Sequence, residues 1–303
     1  MENGAIRYLD RITGRVEKEE IYGEDTLRWL LREGRFFELL RSCAFGSTLP
    51  SRLYGLWQKM PWTRRRIRPF VERFDLDPSE FLKPLEAFSS FDDFFTRRLK
   101  EGARPIDPER NGACIPADGR YLVYSDLLQL GKFPVKGELF DLKRLLRDRQ
   151  LAQKYASGSL VIGRLCPIDY HRFHFPCACL PSESRPIQGP LWPVNPLALR
   201  KRPSILVENK RVFTLLETEL FGEILYIEVG AVCVGSIHQT YLPQKAQAKG
   251  AEKGYFSFGG STLLLLFKKN RIRFERDLLE ASKRGLEMRC LLGQPMGVST
   301  GFP

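Results

Sequence analysis

Hydrophobic positions along the chain change their period near residue 102. From Glu24 onward Leu27, Leu30, Leu31, Phe37 and Leu40 recur at helical spacing, with acids in the first turn, Arg41 near the end and Gly34 as a weak point. A second amphipathic helix is expected over residues 51–60. Asp77-Pro78-Ser79-Glu80 reads as a helix start, with a capping Asp, a first-turn proline and Glu three residues after the cap. Ser90 is expected to cap a further helix with Phe91, Phe94, Phe95 and Leu99 on one face. Residues 1–22, ahead of all these, look extended or hairpin-like. Gly102-Ala103-Arg104-Pro105-Ile106-Asp107-Pro108 then breaks the pattern and marks a boundary.

Beyond it the period is mostly that of strands. Short alternating or β-branched runs occupy 120–125, 158–165, 204–208, 211–217, 224–237, 262–267 and 271–275, separated by Gly and Pro. One helix is expected at 139–155, with Leu142, Leu145 and Leu146 inward, and another at 277–284 before Gly285. The fold class is α+β, with a helical N-terminal region (1–101) ahead of a β-rich domain (102–303).

Charge narrows the range of partners. A formal net charge of +12 and a pI near 9.5 attract something negative: nucleic acid, an anionic membrane surface or an acidic substrate. Around Trp57, Trp62 and Phe70 stand Lys59, Arg64, Arg65, Arg66, Arg68 and Arg73 against one acid, Glu72. Rings settle among headgroups while cations gather anionic lipid, so this stretch suits membrane association ahead of RNA, which the same mix would also suit, unless it is simply a solvated helix face. No apolar run approaches the ~18 residues that cross a bilayer. The N-terminus lacks a secretory pattern, and seven cysteines, an odd number without framework spacing, suggest free thiols in a reducing compartment. These features point to a cytoplasmic protein, peripheral to the membrane.

Three short stretches could carry chemistry. Ala117-Asp118-Gly119 is by itself a hairpin-turn pattern that happens to hold an acid. Tyr170-His171-Arg172-Phe173-His174-Phe175 holds two of the three histidines. Gly259-Gly260-Ser261-Thr262 sits between aromatics and a leucine run, an odd place for a linker, and leaves the Gly260 carbonyl open to attack by the Ser261 hydroxyl. A serine is a poor nucleophile until an imidazole takes its proton, and the imidazole works best when a carboxylate stabilises its charged form. Cys166, His171, His174, Cys177 and Cys179 lie close in sequence, but their spacing is not that of a zinc site, and no metal is expected.

Taken in order, Pro116-Ala117-Asp118-Gly119, Val135-Lys136-Gly137, Arg164-Leu165-Cys166-Pro167-Ile168-Asp169-Tyr170-His171-Arg172-Phe173-His174, Val194-Asn195-Pro196, Val234-Gly235-Ser236-Ile237 and Phe258-Gly259-Gly260-Ser261-Thr262 resemble phosphatidylserine decarboxylase. The likeness runs from about Phe91 to Leu266, and Cys166 departs from it by standing where a small residue is expected.

The resemblance implies that Asp118 and His174 activate Ser261, which attacks the Gly260 carbonyl. The chain would part between Gly260 and Ser261 into a β chain (1–260) and an α chain (261–303) that begins with a pyruvoyl group, the covalent cofactor, made from Ser261. That group would form a Schiff base with phosphatidylserine, release carbon dioxide and yield phosphatidylethanolamine. His171 and Asp169 are further candidates for substrate positioning or proton transfer, with His174 ranked first and His171 second. Implied partners are phosphatidylserine, an anionic surface at the cytoplasmic face of the cell membrane, the two self-derived chains and a homo-oligomer, with no nucleic acid. The alternatives are a serine hydrolase using the same three residues, although the Gly-x-Ser-x-Gly elbow is missing, or a non-enzymatic basic membrane- or RNA-binding protein.

Overall fold

A computed structural model describes residues 6–20, 29, 34, 49–128, 141–202, 204–231, 236–257, 259 and 261–301. The helix expected from Glu24, and Val135-Lys136-Gly137, Val234, Gly235, Phe258 and Gly260 of the motifs above, lie outside the described residues.

The chain opens with a hairpin of β1 (Arg7–Asp10) and β2 (Val16–Lys18), as residues 1–22 suggest. Asp10 closes its turn by accepting from the Ile12 and Thr13 amides at 3.0 and 2.8 Å. Then come α1 (Leu49–Gln58), a 3-10 turn (Pro61–Arg66), α2 (Ile67–Arg73) and α3 (Phe91–Phe95), the last capped by Ser90 as expected. Ile67, Phe70, Val71, Phe81, Phe88, Phe91, Phe94 and Phe95 bury one another in a separate aromatic core. Two details differ from the sequence reading. Asp77 caps only one 3-10 turn (Pro78–Glu80), because Phe81 turns into that core on extended backbone. Leu99 lies past the end of α3 and bridges Phe81 instead of extending the helical face.

The remaining elements are β3 (Gly112–Cys114), β4 (Gly119–Tyr124), α4 (Leu142–Leu146), α5 (Arg149–Tyr155), β5 (Ser159–Leu165), β6 (Arg172–His174), β7 (Leu180–Pro181), β8 (Arg185–Ile187), α6 (Pro196–Lys201) and α7 (Ile205–Glu208). They continue with β9 (Arg211–Thr218), β10 (Gly222–Gly230), β11 (Ile237–Gln239), β12 (Glu252–Phe256), β13 (Ser261–Phe267), β14 (Ile272–Phe274), α8 (Arg276–Lys283), β15 (Glu287–Cys290) and β16 (Pro295–Ser299). Among the described residues a ten-stranded sheet runs β2-β1-β15-β4-β5-β13-β10-β9-β7, with β8 also on β9; β11-β12-β6 and β14-β16-β3 form two smaller sheets. The architecture is therefore mixed helix and sheet, and the N-terminal region begins with a hairpin of the main sheet, joined to it by parallel pairing of β1 with β15.

β13 explains the leucine run. Leu263, Leu265 and Phe267 face one core, while Leu264 and Leu266 face another that is covered by Leu145 and Leu146 of α4 and Tyr155 of α5. A strand buried on both faces reads as continuous apolar sequence, and each buried leucine contributes about 1.5–3 kcal/mol.

Four other expectations are corrected. The helix at 139–155 is two helices, because Arg147 takes a left-handed conformation (φ 50°) and Asp148 starts afresh by capping Leu151. The strand at 204–208 is α7, where burial of Ile205, Leu206 and Val207 overrides their strand preference. The strand at 224–237 stops at Gly230, where Lys210 and Asn209 take its amide and carbonyl, and β11 begins at Ile237. Asp118-Gly119 is no hairpin turn, since β3 pairs with β16 and β4 with β15 and β5.

Candidate active site

The main sheet brings Ser261, the start of β4 after Asp118 and the turn after Leu165 to one end, while His174 stands on β6 of a smaller sheet. Ser261 is the first residue of β13, registered between Gly230, the last of β10, and Leu165, the last of β5. Asp118 immediately precedes β4, whose Arg120 pairs with Arg164. The turn after Leu165 leads to β6, which pairs with β12, and β12 leads back to Ser261. Gly259, between β12 and Ser261, has φ 137°, a backbone angle that favours glycine.

Ser261 is fully buried, and its Oγ has no partner among the described residues. His174 is anchored by its amide, which donates to the Pro116 carbonyl at 2.8 Å, two residues before Asp118. Its Nδ1 lies 2.9 Å from the Gly250 carbonyl. A carbonyl only accepts, so Nδ1 carries the proton and Nε2, buried and without a partner among the described residues, keeps its lone pair. Burial lowers the pKa of His174, against smaller opposing effects from the Gly250 hydrogen bond, Glu252 and Asp118. The imidazole is therefore a neutral base at pH 7.

Asp118 does not take the place of a hydrolase carboxylate in this arrangement. Its Oδ1 accepts from the Leu292 amide at 2.8 Å and its Oδ2 from Arg104 Nη2 at 2.8 Å, and among the described residues no hydrogen bond joins it to His174. Arg104 also reaches Glu80, at 2.8 Å.

His171 is fully buried, with its ring stacked on Phe95 at 3.9 Å. Nε2 donates to the Cys166 carbonyl at 2.9 Å, which leaves Nδ1 deprotonated and without a partner among the described residues, and burial holds the pKa down at about 3. Asp169 shapes the turn that carries His171: its Oδ2 accepts from the Cys166 amide at 2.6 Å and from Arg120 Nη1 at 2.8 Å. Behind it Arg164 binds Glu19 of the N-terminal hairpin region, at 2.6 Å, and Glu287. Burial alone would raise the pKa of Glu19, but the Arg164 guanidinium overrides this and holds it at about 2.

Several of these partners were not legible as functional. Arg104 lay in the boundary stretch, Glu19 in a segment with no functional reading, and Gly250 contributes only a carbonyl. The third histidine, His238, stacks on Tyr255 at 4.6 Å and lies with Nε2 3.0 Å from Ser257 Oγ, on the segment leading to Gly259. Its position on β11 gave no signal. Cys166, Cys177 and Cys179 are buried free thiols, and among the described residues no three His, Cys, Asp or Glu side chains converge as a metal requires.

A family model described as phosphatidylserine decarboxylase matches residues 91–297. The chain is 50% identical to the phosphatidylserine decarboxylase proenzyme of Chlamydia pneumoniae over 295 residues, covering 97% of each protein. It is 47% identical to the proenzyme of that name from Chlamydia felis, over 98% of this chain and 99% of the relative, and 46% identical to that of Chlamydia muridarum, over 98% of each. With its motifs on adjoining strand ends and this similarity along nearly its whole length, the chain belongs to the phosphatidylserine decarboxylase family.

Proposed function

We propose that the chain is a precursor that cuts its own Gly260–Ser261 bond and then decarboxylates phosphatidylserine to phosphatidylethanolamine. The observation that carries this reading is that Ser261 Oγ and the basic Nε2 of His174 are both buried with no partner among the described residues. Buried polar atoms are rarely left unpaired, and those that are call for a functional explanation. His174 Nε2 takes the hydroxyl proton, and Ser261 Oγ attacks the Gly260 carbonyl, exchanging an amide for an ester. Loss of the Cα proton of residue 261 expels the Gly260 carboxylate, and water then replaces the nitrogen, which leaves as ammonia. Asp118, fixed by Arg104, favours the charged imidazole of the first step.

The residues suit a pyruvoyl group, because the serine that would become it stands on an inner strand, closed to solvent. A pyruvoyl carbonyl there supplies an electrophile that captures the lipid amine and takes up the electron pair released with carbon dioxide. His174 ranks first for returning a proton to the lipid and His171 second. Asp169, engaged by Arg120 and the Cys166 amide, positions the turn that bears His171.

The N-terminal helices bring the protein to its substrate as a peripheral protein of the cytoplasmic membrane face. Leu53, Leu56, Trp57, Met60 and Trp62 are exposed beside exposed Arg64, Arg65 and Arg68, a mix that suits anionic lipid headgroups. No helix among the described residues is long and apolar enough to span a bilayer. Denaturing electrophoresis with intact mass, beside an assay for labelled carbon dioxide from phosphatidylserine, tests the reading: it requires fragments 1–260 and 261–303 and release of carbon dioxide. A single chain that keeps a serine at 261 and releases none refutes it.

A further inference from the structure

Arg97 is a buried cation that this chemistry leaves unused. It lies two residues past α3 and is 5% exposed, with its guanidinium carbon 5.1 Å from the Phe81 ring centroid and 4.9 Å from that of Phe94. Nη2 donates to the Ile168 and Asp169 carbonyls at 3.2 and 3.3 Å. Nε and Nη1 are buried without a partner among the described residues. A guanidinium withdrawn from water is ordinarily paired with a carboxylate, and the two rings compensate only part of its lost hydration.

The backbone that bears this side chain is also held in place. Arg172 Nε donates to the Arg97 carbonyl at 3.3 Å, and Arg172 is itself bound by Glu252 at 2.9 Å. The two carbonyls that Arg97 grips belong to the turn whose Cys166 carbonyl receives His171. A fixed cation with two unspent donors therefore rests on the same short turn as His171.

We propose that Arg97 binds an oxyanion of the lipid headgroup through Nε and Nη1. Phosphatidylserine offers two such groups, the carboxylate beside the reacting amine and the phosphodiester. The proposal rests on the reading that the His171 turn and residue 261 share one substrate site.

The test compares Arg97→Lys, which keeps the charge, and Arg97→Met, which removes it, with unaltered protein. KM and kcat for short-chain phosphatidylserine are measured on the cleaved fraction of each, together with the inhibition constant of short-chain phosphatidylethanolamine, which keeps the phosphodiester but lacks the carboxylate. Loss of charged hydrogen bonds is expected to raise KM about 10- to 100-fold in Arg97→Met, and less in Arg97→Lys. A rise in KM with an unchanged inhibition constant assigns the carboxylate; a parallel rise in both assigns the phosphodiester. Unchanged KM in both variants overturns the proposal, as does failure of both to yield cleaved chain, which would make Arg97 a folding residue. Failure of the underlying reading shows itself separately, as absence of cleavage and of carbon dioxide release in the unaltered protein.

Discussion

The Arg104 guanidinium holds the Asp118 carboxylate through Nη2 at 2.8 Å and Nε at 3.0 Å, and both side chains are largely closed to solvent. Removing the cation strands a buried negative charge beside the precursor's candidate base. Arg104→Met is expected to lower unfolding free energy by about 3–5 kcal/mol, measured by urea denaturation, and to slow the appearance of the 261–303 fragment. Arg104→Lys, which keeps charge but loses the two-point grip, should fall between. Equal stability of all three proteins would contradict the assignment.

Substitution of His174 acts on the cut itself. His174→Ala should reduce the rate of chain cleavage by about 10²- to 10⁴-fold, the usual worth of a general base, followed as fragment intensity against time after synthesis. Ser261→Ala should remain a single chain indefinitely. Normal fragments from either variant would remove that residue from the mechanism.

The candidate residues could be singled out from residue types, order and the family resemblance. Asp118, His174 and Ser261 stood out as candidates because acid, imidazole and hydroxyl stood in short motifs, and β13 was legible because burial on both faces leaves an unbroken leucine run. What escaped was set by long-range contact. β6 and β12 are short strands whose pairing partners lie some 80 residues apart, and no local period announces them. The Arg104 grip on Asp118 and the Arg164 grip on Glu19 span loops whose length says nothing about where they close. α7 misled because its β-branched residues gave a local preference that tertiary burial overrode.

His171 makes stability depend on pH in a definite direction. Its pKa is about 3 in the folded protein and 6.5 when exposed, so between these values the unfolded chain binds the extra proton. Its contribution to stability is therefore complete above pH 6.5 and is lost as pH falls from there towards 3. Within the window one such group makes unfolding free energy fall by about 1.4 kcal/mol per pH unit. His171→Gln should flatten the dependence between pH 4 and 6 by about one proton, measured by urea denaturation at a series of pH values. An unchanged slope would show that the imidazole does not stay neutral when buried.

Lys253 and Glu228 form a fully buried pair at 2.6 Å, with Thr214 and Gln239 completing the bonds of the ammonium. Lys253→Met is expected to destabilise by about 3–5 kcal/mol because Glu228 is left without a counter-charge, and adding Glu228→Leu should restore most of the loss. Thermal or urea unfolding of the two variants measures this directly. A double variant no more stable than the single would show that the pair is not the reason.

Because residue 261 heads an inner strand, the proposed scission frees no separable piece. β13 stays clamped by β5 and β10, while β15 reaches across to β1 and β4, and β16 to β3. The two products would remain woven into one particle, comigrating in native chromatography until denaturant parts them. The fresh chain end would thus stay in the interior, at the head of a strand held on both sides.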